Sequence, residues 1–217
     1  MKLFKYTLIA FTALAVLATG IAQAKSYKFT RRTMNLAAGT QLLAFDAPKA
    51  MCFLDETKLA ERTAMEALKA TAPKGEQVLA AFANCLEIVN LGGQGGGIQN
   101  GGYIGWYNPE IGNLTKLSRQ DYLDMLEPSF FKRVDKDAKT HRTANALAAG
   151  MVSDKDFIDG TKKTTIVHST TEINGVPLIL TIAFTRDKEA YPLDDAYAFM
   201  DKFVNQALFV NERPLNP

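Results

Sequence analysis

Histidine and cysteine are scarce in this sequence: the 217 residues contain two of each. Zinc sites are usually built from four spaced cysteine and histidine ligands, and no such pattern is present. The two histidines, His141 and His168, are accompanied by no Gly-x-Ser-x-Gly nucleophile elbow. We therefore predict no metal, no cofactor and no catalytic residue from the sequence.

A surplus of charge of one sign is missing as well. The chain has 25 basic and 23 acidic residues, and two of its lysines, Lys2 and Lys5, lie in a segment that we predict to be removed. The remaining chain then carries equal numbers of both signs. Nucleic-acid-binding domains usually carry a basic surplus, so we expect no nucleic-acid partner.

Long apolar runs are limited to the amino terminus. The positive residues 1–5 precede an uncharged, mostly apolar run over residues 6–21. The small residues Ala22 and Ala24 follow, at the two positions that signal peptidase reads. This order is typical of a secretory signal peptide. Because no further run of spanning length follows, we expect no membrane insertion after cleavage.

The sequence thus predicts a signal peptide over residues 1–24 and a single globular domain over residues 25–217. The alternative is that the apolar run stays in place as a membrane anchor. A membrane-spanning helix needs roughly 20 apolar residues, and this run is shorter and contains Gly20. We therefore favour cleavage, which places the domain in a periplasm or in the medium.

Both cysteines, Cys52 and Cys85, lie in the predicted mature domain. An even number of cysteines in an oxidising compartment favours a disulfide bond. The alternative is a pair of buried free thiols, because each cysteine has apolar neighbours in the sequence. We favour the disulfide on the basis of the compartment.

Local signals indicate an α+β fold. Residues 164–172 and 176–186 are rich in β-branched side chains and flank Asn174-Gly175, a strong hairpin turn signal. After Pro192, apolar residues recur with the helical period. These residues are Leu193, Ala196, Tyr197, Met200, Phe203, Val204, Ala207 and Leu208. We therefore predict a hairpin followed by a long C-terminal amphipathic helix.

Weaker patterns complete the predicted element order. Strands are predicted over residues 27–30, 41–45, 50–54, 77–90 and 103–107, with residues 35–39 as a connection between the first two. Helices are predicted from Asp55 to about residue 70, and from Ser118 to a break at Pro128. A second helical stretch, rich in charge, follows to about residue 149. The order predicts a mostly antiparallel sheet with helices packed on its faces.

Between two of these strands, residues 92–102 form a glycine-rich loop, which is the obvious candidate for a binding site. It is not a dinucleotide fingerprint, because Ile98 and Asn100 occupy the positions that require the final glycine. We interpret it as a mobile hairpin tip that contacts a ligand or partner. The candidate binding residues are Gly92, Gly95, Gly97, Gly102, Tyr103 and Trp106.

Other acidic and histidine positions fit structural roles better. Residues 154–160 hint at a calcium loop, but Ile158 and Thr165 stand where an EF-hand needs ligands. The pairs Asp55-Glu56 and Asp194-Asp195 begin predicted helices, where the helix dipole favours them. His168 alternates with Ile166 and Thr170, which is typical of a half-buried structural histidine on one strand face.

The element order resembles that of Mog1/PsbP-like α+β domains, in which a hairpin precedes a long C-terminal helix. The stretches over residues 51–55 and 79–85 are similar to exported proteins of alphaproteobacteria. The Mog1/PsbP-like resemblance implies a binding or assembly role, without shared catalytic residues. It adds no site residue to those named above.

Taken together, the sequence favours an exported cell-envelope protein that acts as a binding or assembly factor. Its partner would be an envelope protein or a small ligand. One alternative is an extracytoplasmic hydrolase whose carboxylates the sequence does not locate. Another is a redox-active disulfide protein, although Cys52 and Cys85 lack the Cys-x-x-Cys spacing.

Overall fold

The computed structural model describes residues 33–38, 41–73, 75–91, 97–107, 117–133, 135–153 and 162–212. The predicted signal peptide, with Ala22 and Ala24, and the predicted strand over residues 27–30 lie outside these ranges. So do Gly92, Gly95 and the acidic stretch over residues 154–160.

A seven-stranded antiparallel sheet organises the described residues, and a separate two-stranded hairpin packs beside it. The hairpin strands are β1 (Thr33–Ala38) and β2 (Gln41–Asp46). The sheet strands are β3 (Met51–Phe53), β4 (Glu76–Asn84), β5 (Asn100–Tyr107), β6 (Lys139–Arg142), β7 (Leu147–Ser153), β8 (Lys163–Ile173) and β9 (Val176–Arg186). Their order across the sheet is β3-β4-β5-β9-β8-β7-β6, and every neighbouring pair is antiparallel.

Helices cover both faces of this sheet. The helices are α1 (Leu59–Thr71), α2 (Cys85–Asn90), α3 (Arg119–Arg133) and α4 (Leu193–Asn211). Alternate residues of a strand point to opposite faces, and β4 shows the division: Phe82 packs with α4, whereas Ala81 packs with α1. The predicted α+β fold, with a mostly antiparallel sheet and helices on its faces, is therefore confirmed.

The long C-terminal helix α4 forms the centre of the larger core, as its periodicity predicts. Seven of its side chains are buried, and Phe203 makes edge contacts with Phe45 of β2 and Phe82 of β4, at centroid distances of 6.5 and 5.2 Å. Near its end, the Asn211 side chain accepts from the Ala44 amide at 2.8 Å and donates to the Ala44 carbonyl at 2.7 Å. The helix thereby attaches the β1–β2 hairpin to the sheet.

The predicted β8–β9 hairpin is confirmed in detail. Asn174 and Gly175 have φ angles of 52° and 80°, the left-handed values that a tight hairpin turn of this type requires. The two arms pair continuously from Ile173 opposite Val176 to Lys163 opposite Arg186. This hairpin supplies the two central strands to which β5 and β7 are added.

The start of α1 differs from the prediction. The helix begins at Leu59 with Lys58 as its N-cap residue, and no side chain caps it. Asp55 instead accepts from the Thr57 amide at 3.1 Å and from the Thr57 hydroxyl at 2.7 Å, which makes a tight turn before the helix. The predicted Asp55 cap is therefore wrong.

Two predicted strand boundaries near the hairpins are also wrong. The predicted strand over residues 77–90 ends at Asn84, whose side chain accepts from the Leu86 amide at 2.9 Å and caps α2. Residues 35–39 were predicted as a connection, but Asn35 belongs to β1 and pairs with Ala44. In both places, strand pairing decides the boundary more strongly than local composition does.

The predicted second helix up to residue 149 is wrong as well. Helix α3 continues through Pro128 to Arg133, and the strands β6 and β7 follow it. Strand β7 pairs with β8 over its whole length, which buries residues 146–150. Because that contact is non-local, the alanine-rich and charged composition of the segment gives no sign of it.

Candidate functional site

One end of the sheet carries the glycine-rich loop. Strand β4 ends there at Asn84, β5 begins there at Asn100, and Asn100 lies opposite Phe184 near the end of β9. Residues 85–91 and 97–100 are the described parts of the connection between β4 and β5. We call α2 together with residues 97–100 the loop-bearing end.

Helix α2 is short, apolar and weakly packed. It has six residues, none of which is buried. Leu86 is 68% exposed, and Ile88 packs only in part against the core under α1. A helix this short is not stable in isolation, because helix nucleation costs more than a few hydrogen bonds return. Its position must therefore come from specific attachments.

The first attachment is the disulfide bond between Cys52 and Cys85, which confirms the predicted pairing. It joins the middle residue of β3 to the first residue of α2. The Cys85 amide also donates to the Ala50 carbonyl at 3.0 Å. The amino-terminal end of α2 is thus held covalently against the edge strand of the sheet.

The second attachment is Glu87, a residue that the sequence analysis does not single out. Its carboxylate accepts from the backbone amides of Gln99 and Asn100, both at 2.9 Å, and from the Asn100 side-chain amide at 2.6 Å. These bonds join α2 to the start of β5 across the base of the loop. The partners lie 12 and 13 residues away, so no local pattern reveals the contact.

The structure does not gather the other sequence-predicted binding residues at this end. Gly92 and Gly95 lie outside the described residues, and Gly97 is partly exposed. Gly102 and Tyr103 are buried within β5. Trp106 lies on the opposite face from Tyr103, since Tyr103 packs with the α1 cluster and Trp106 packs against the α4 cluster.

A row of buried polar side chains crosses the middle of the sheet, on the face covered by α1 and α3. Tyr103 of β5, Thr181 of β9 and His168 of β8 are directly paired neighbours. The Thr181 hydroxyl and His168 Nδ1 are hydrogen-bonded at 2.6 Å, and the Tyr103 and His168 rings meet edge to face at 6.5 Å. We call these three residues the buried polar row.

His168 is only 1% exposed, so the prediction of a half-buried histidine underestimated its burial. Its placement on one face with Ile166 and Thr170 is confirmed, since all three pair in register with alternate residues of β9. Burial lowers the pKa of His168 to about 4. The imidazole is therefore neutral at neutral pH.

Glu76 lies on the same face, at the start of β4. Its carboxyl group reaches over Gly105 of β5, where an added Cβ would collide with Glu76 Oε1. Burial raises the pKa of Glu76 to about 7, and a hydrogen bond to the Tyr103 hydroxyl acts in the opposite direction. The sequence analysis missed Glu76, because its burial depends on a glycine in a neighbouring strand.

The remaining polar candidates have structural roles. Glu56 forms an ion pair with Lys69 at 2.9 Å, and Asp194 and Asp195 occupy the first turn of α4. His141 lies on β6 rather than in a helix, where its ring meets Asp201 Oδ2 at 2.9 Å. In the described ranges, no group of three or more histidine, cysteine, aspartate or glutamate residues could hold a metal ion.

Comparison with known proteins gives no family assignment. No protein-family model matches this chain, and no curated protein matches it. None of the helices that the structure describes is long and apolar enough to cross a membrane. The candidate sites therefore stand on the geometry of the loop-bearing end and of the buried polar row.

Proposed function

We propose that this chain is an exported cell-envelope domain, periplasmic or secreted, that acts as a binding or assembly factor and contacts its partner through the loop-bearing end. The observation that carries the proposal is that α2 is weakly packed but firmly attached. It buries no side chain, yet a disulfide bond at Cys85 and three hydrogen bonds to Glu87 hold it in place.

These attachments do little for the core, since they fix a helix that contributes no buried side chain to it. They do fix the position of Leu86, a large apolar side chain left in water. A contact group that is ordered before binding loses less conformational entropy when the complex forms. A preorganised apolar anchor is therefore the property that the attachments provide.

The partner that fits such an anchor is a protein with an apolar pocket on its surface. Apolar side chains that are buried at the centre of an interface supply much of its binding free energy. Helix α2 carries a single strongly exposed leucine and no basic residue. These features support a protein surface in the envelope as the partner, in preference to an anionic ligand.

A matched pair of positions tests this proposal. Leu86 and Leu42 are both 68% exposed, and Leu42 lies on β2, outside the loop-bearing end. We expect a photo-crosslinking residue at position 86 to give one discrete adduct in intact cells. Added wild-type protein should compete for that adduct, whereas a Leu86→Asp protein should not.

The same crosslinker at position 42 is the control. Equal adducts at positions 42 and 86, or competition by the Leu86→Asp protein, would contradict a specific contact at α2. An adduct with a small molecule in place of a protein would redirect the proposal to a ligand-binding role.

The hydrolase alternative is favoured by one observation, the buried carboxyl group of Glu76 beside Tyr103. A carboxyl group with a pKa of about 7 is suited to act as a general acid or base near neutral pH. A panel of ester, amide and glycoside substrates tests this alternative. Turnover that is lost in a Glu76→Gln variant and retained in the Leu86→Asp variant would favour the hydrolase over the binding factor.

A further inference from the structure

We propose that the Cys52–Cys85 disulfide is a redox-sensitive clamp for the loop-bearing end, and that the seven-stranded sheet folds without it. Reduction would release α2, and with it the hydrogen bonds of Glu87 to Gln99 and Asn100, while β8, β9 and α4 stay folded. The consequence for partner binding rests on the proposed function, but the structural claim does not.

After reduction, two hydrogen bonds would still hold the amino-terminal end of α2. The Asn84 cap and the Cys85 amide hydrogen bond would persist, but each is a single bond near the surface. Such a bond contributes only about 1 kcal/mol net. The helix has six residues and none is fully buried, so the partial packing of Ile88 against the core under α1 compensates little for the lost covalent link.

The hold of Glu87 on β5 depends on the same helix. Its hydrogen bonds to Gln99 and Asn100 persist only while α2 keeps Glu87 in position. The segment itself has a second support, because the Gln99 carbonyl accepts from the Thr185 amide at 2.9 Å and Asn100 pairs with Phe184 of β9. Unwinding of α2 would therefore free the Gln99 and Asn100 amides from Glu87, while the contacts with β9 keep the start of β5 in place. The disulfide bond is the covalent link that keeps α2, and with it Glu87, in position.

The sheet has ample support elsewhere. Strands β8 and β9 pair over eleven residue pairs, and α4 buries seven side chains against the sheet and the β1–β2 hairpin. Phe53 and Leu54, which follow Cys52 in the chain, are buried beside β4. The Leu54 amide also donates to the Ala81 carbonyl at 2.9 Å. These contacts do not involve either sulfur atom.

The chemistry is a dithiol–disulfide exchange. Cys52 is buried, with 5% exposure, and Cys85 is the more exposed of the two. A dithiol reductant attacks Cys85 Sγ as a thiolate, the S–S bond breaks, and the Cys52 thiolate leaves and takes up a proton. The second thiol of the reductant then releases Cys85, so two electrons and two protons pass from the dithiol to the protein.

Hydrogen exchange measured by mass spectrometry tests the clamp on the full exported protein. Samples are compared in the oxidised form, after reduction with dithiothreitol, and as a Cys52→Ser/Cys85→Ser variant. We expect the amides of residues 85–91, and those of Gln99 and Asn100 that donate to Glu87, to exchange about tenfold or more faster in both disulfide-free states. We expect the amides of β8 and β9 to be unchanged.

Two results would overturn the clamp. Unchanged exchange in α2 would mean that the disulfide does not hold it. Comparable acceleration across β8 and β9 would mean that the bond stabilises the whole domain. The serine variant covers the case in which dithiothreitol does not reach the bond, and failure of the bond to reduce would itself contradict redox sensitivity.

The crosslink at position 86 separates this inference from the proposed function. A protein adduct that forms in the oxidised state and is lost on reduction supports both. An adduct of equal yield in both states overturns the functional consequence of the clamp. The absence of any adduct refutes the proposed partner contact, whereas the exchange result then decides the structural clamp on its own.

Discussion

At the scale of single residues, two buried titratable groups act on stability in opposite directions. The folded state keeps Glu76 protonated up to a pH of about 7 and keeps His168 neutral down to a pH of about 4. In an unfolded chain, the pKa values of these two side chains are 4.5 and 6.5. Compared with the unfolded chain, the folded state therefore holds an extra proton on Glu76 between pH 4.5 and 7. It lacks a proton on His168 between pH 4 and 6.5.

Glu76 predicts a loss of stability as the pH rises. Because its pKa is raised in the folded state, the free energy of unfolding should fall between pH 4.5 and 7, by about 3 kcal/mol in total. A Glu76→Gln variant, which cannot ionise, should lose this slope. Urea unfolding at pH 5 and pH 8 checks this, and an identical slope in both proteins would exclude Glu76 as its source.

His168 predicts the opposite slope on the acid side. Because its pKa is lowered in the folded state, the free energy of unfolding should fall as the pH drops from 6.5 to 4, by about 3 kcal/mol. A His168→Gln variant is expected to be less stable at pH 7, because it alters the bond to Thr181. Its free energy of unfolding should nevertheless change less than that of the wild type between pH 4 and 6.5. If the free energy of unfolding of the variant falls as steeply in acid as that of the wild type, His168 is not the source of the pH dependence.

The close approach of Gly105 to Glu76 predicts that substitutions at these two positions have coupled effects on the free energy of unfolding. A Gly105→Ala substitution places a Cβ against Glu76 Oε1, Cδ and Cγ, so we expect a loss of about 1–3 kcal/mol, typical of overpacking. In a Glu76→Ala background this loss should shrink, because the colliding atoms are gone. A double-mutant cycle in urea measures the coupling, and simple additivity would contradict the contact.

At the scale of elements, local signals predict some parts of the fold and fail for others. The β8–β9 hairpin is predictable because Asn174-Gly175 specifies its turn and both arms are rich in β-branched residues. Helix α4 is predictable because its apolar period continues over several turns. In both, sequence neighbours alone determine the element.

The elements that sequence analysis misses are set by contacts between distant residues. Helix α2 follows β4 without a break in apolar character, and only the Asn84 cap distinguishes it from more strand. Strands β6 and β7 carry helix-favouring residues, yet pairing with β8 overrides that preference. Glu76 and Glu87 escape detection for the same reason, because their partners lie on another strand.

Two phenylalanines on helix α4 differ sharply in burial, so their substitution should differ in its effect on the free energy of unfolding. Phe203 is buried between Phe45 and Phe82, whereas Phe209 on the same helix is 58% exposed. We expect Phe203→Ala to lower the free energy of unfolding by about 3–5 kcal/mol and Phe209→Ala to lower it far less. Chemical denaturation measures both, and equal losses would contradict the assignment of Phe203 to the core.

At the scale of the whole molecule, the disulfide bond is a site feature that the sequence predicts correctly. That prediction rested on the compartment, which in turn rested on the amino-terminal signal pattern over residues 1–24. The balance of charge over residues 25–217 is consistent with a partner recognised by apolar contact. The proposed export and the proposed binding role depend on the same signal pattern, and a chain that is not exported would contradict both.

The most direct test of this account is intact mass spectrometry of the native protein from fractionated cells, before and after reduction. We predict a soluble chain outside the cytoplasm that begins at Lys25, with Cys52 and Cys85 unreactive to alkylation until they are reduced. A chain that retains Met1 in the membrane fraction, or thiols that alkylate without reduction, would contradict an exported, disulfide-bonded binding domain.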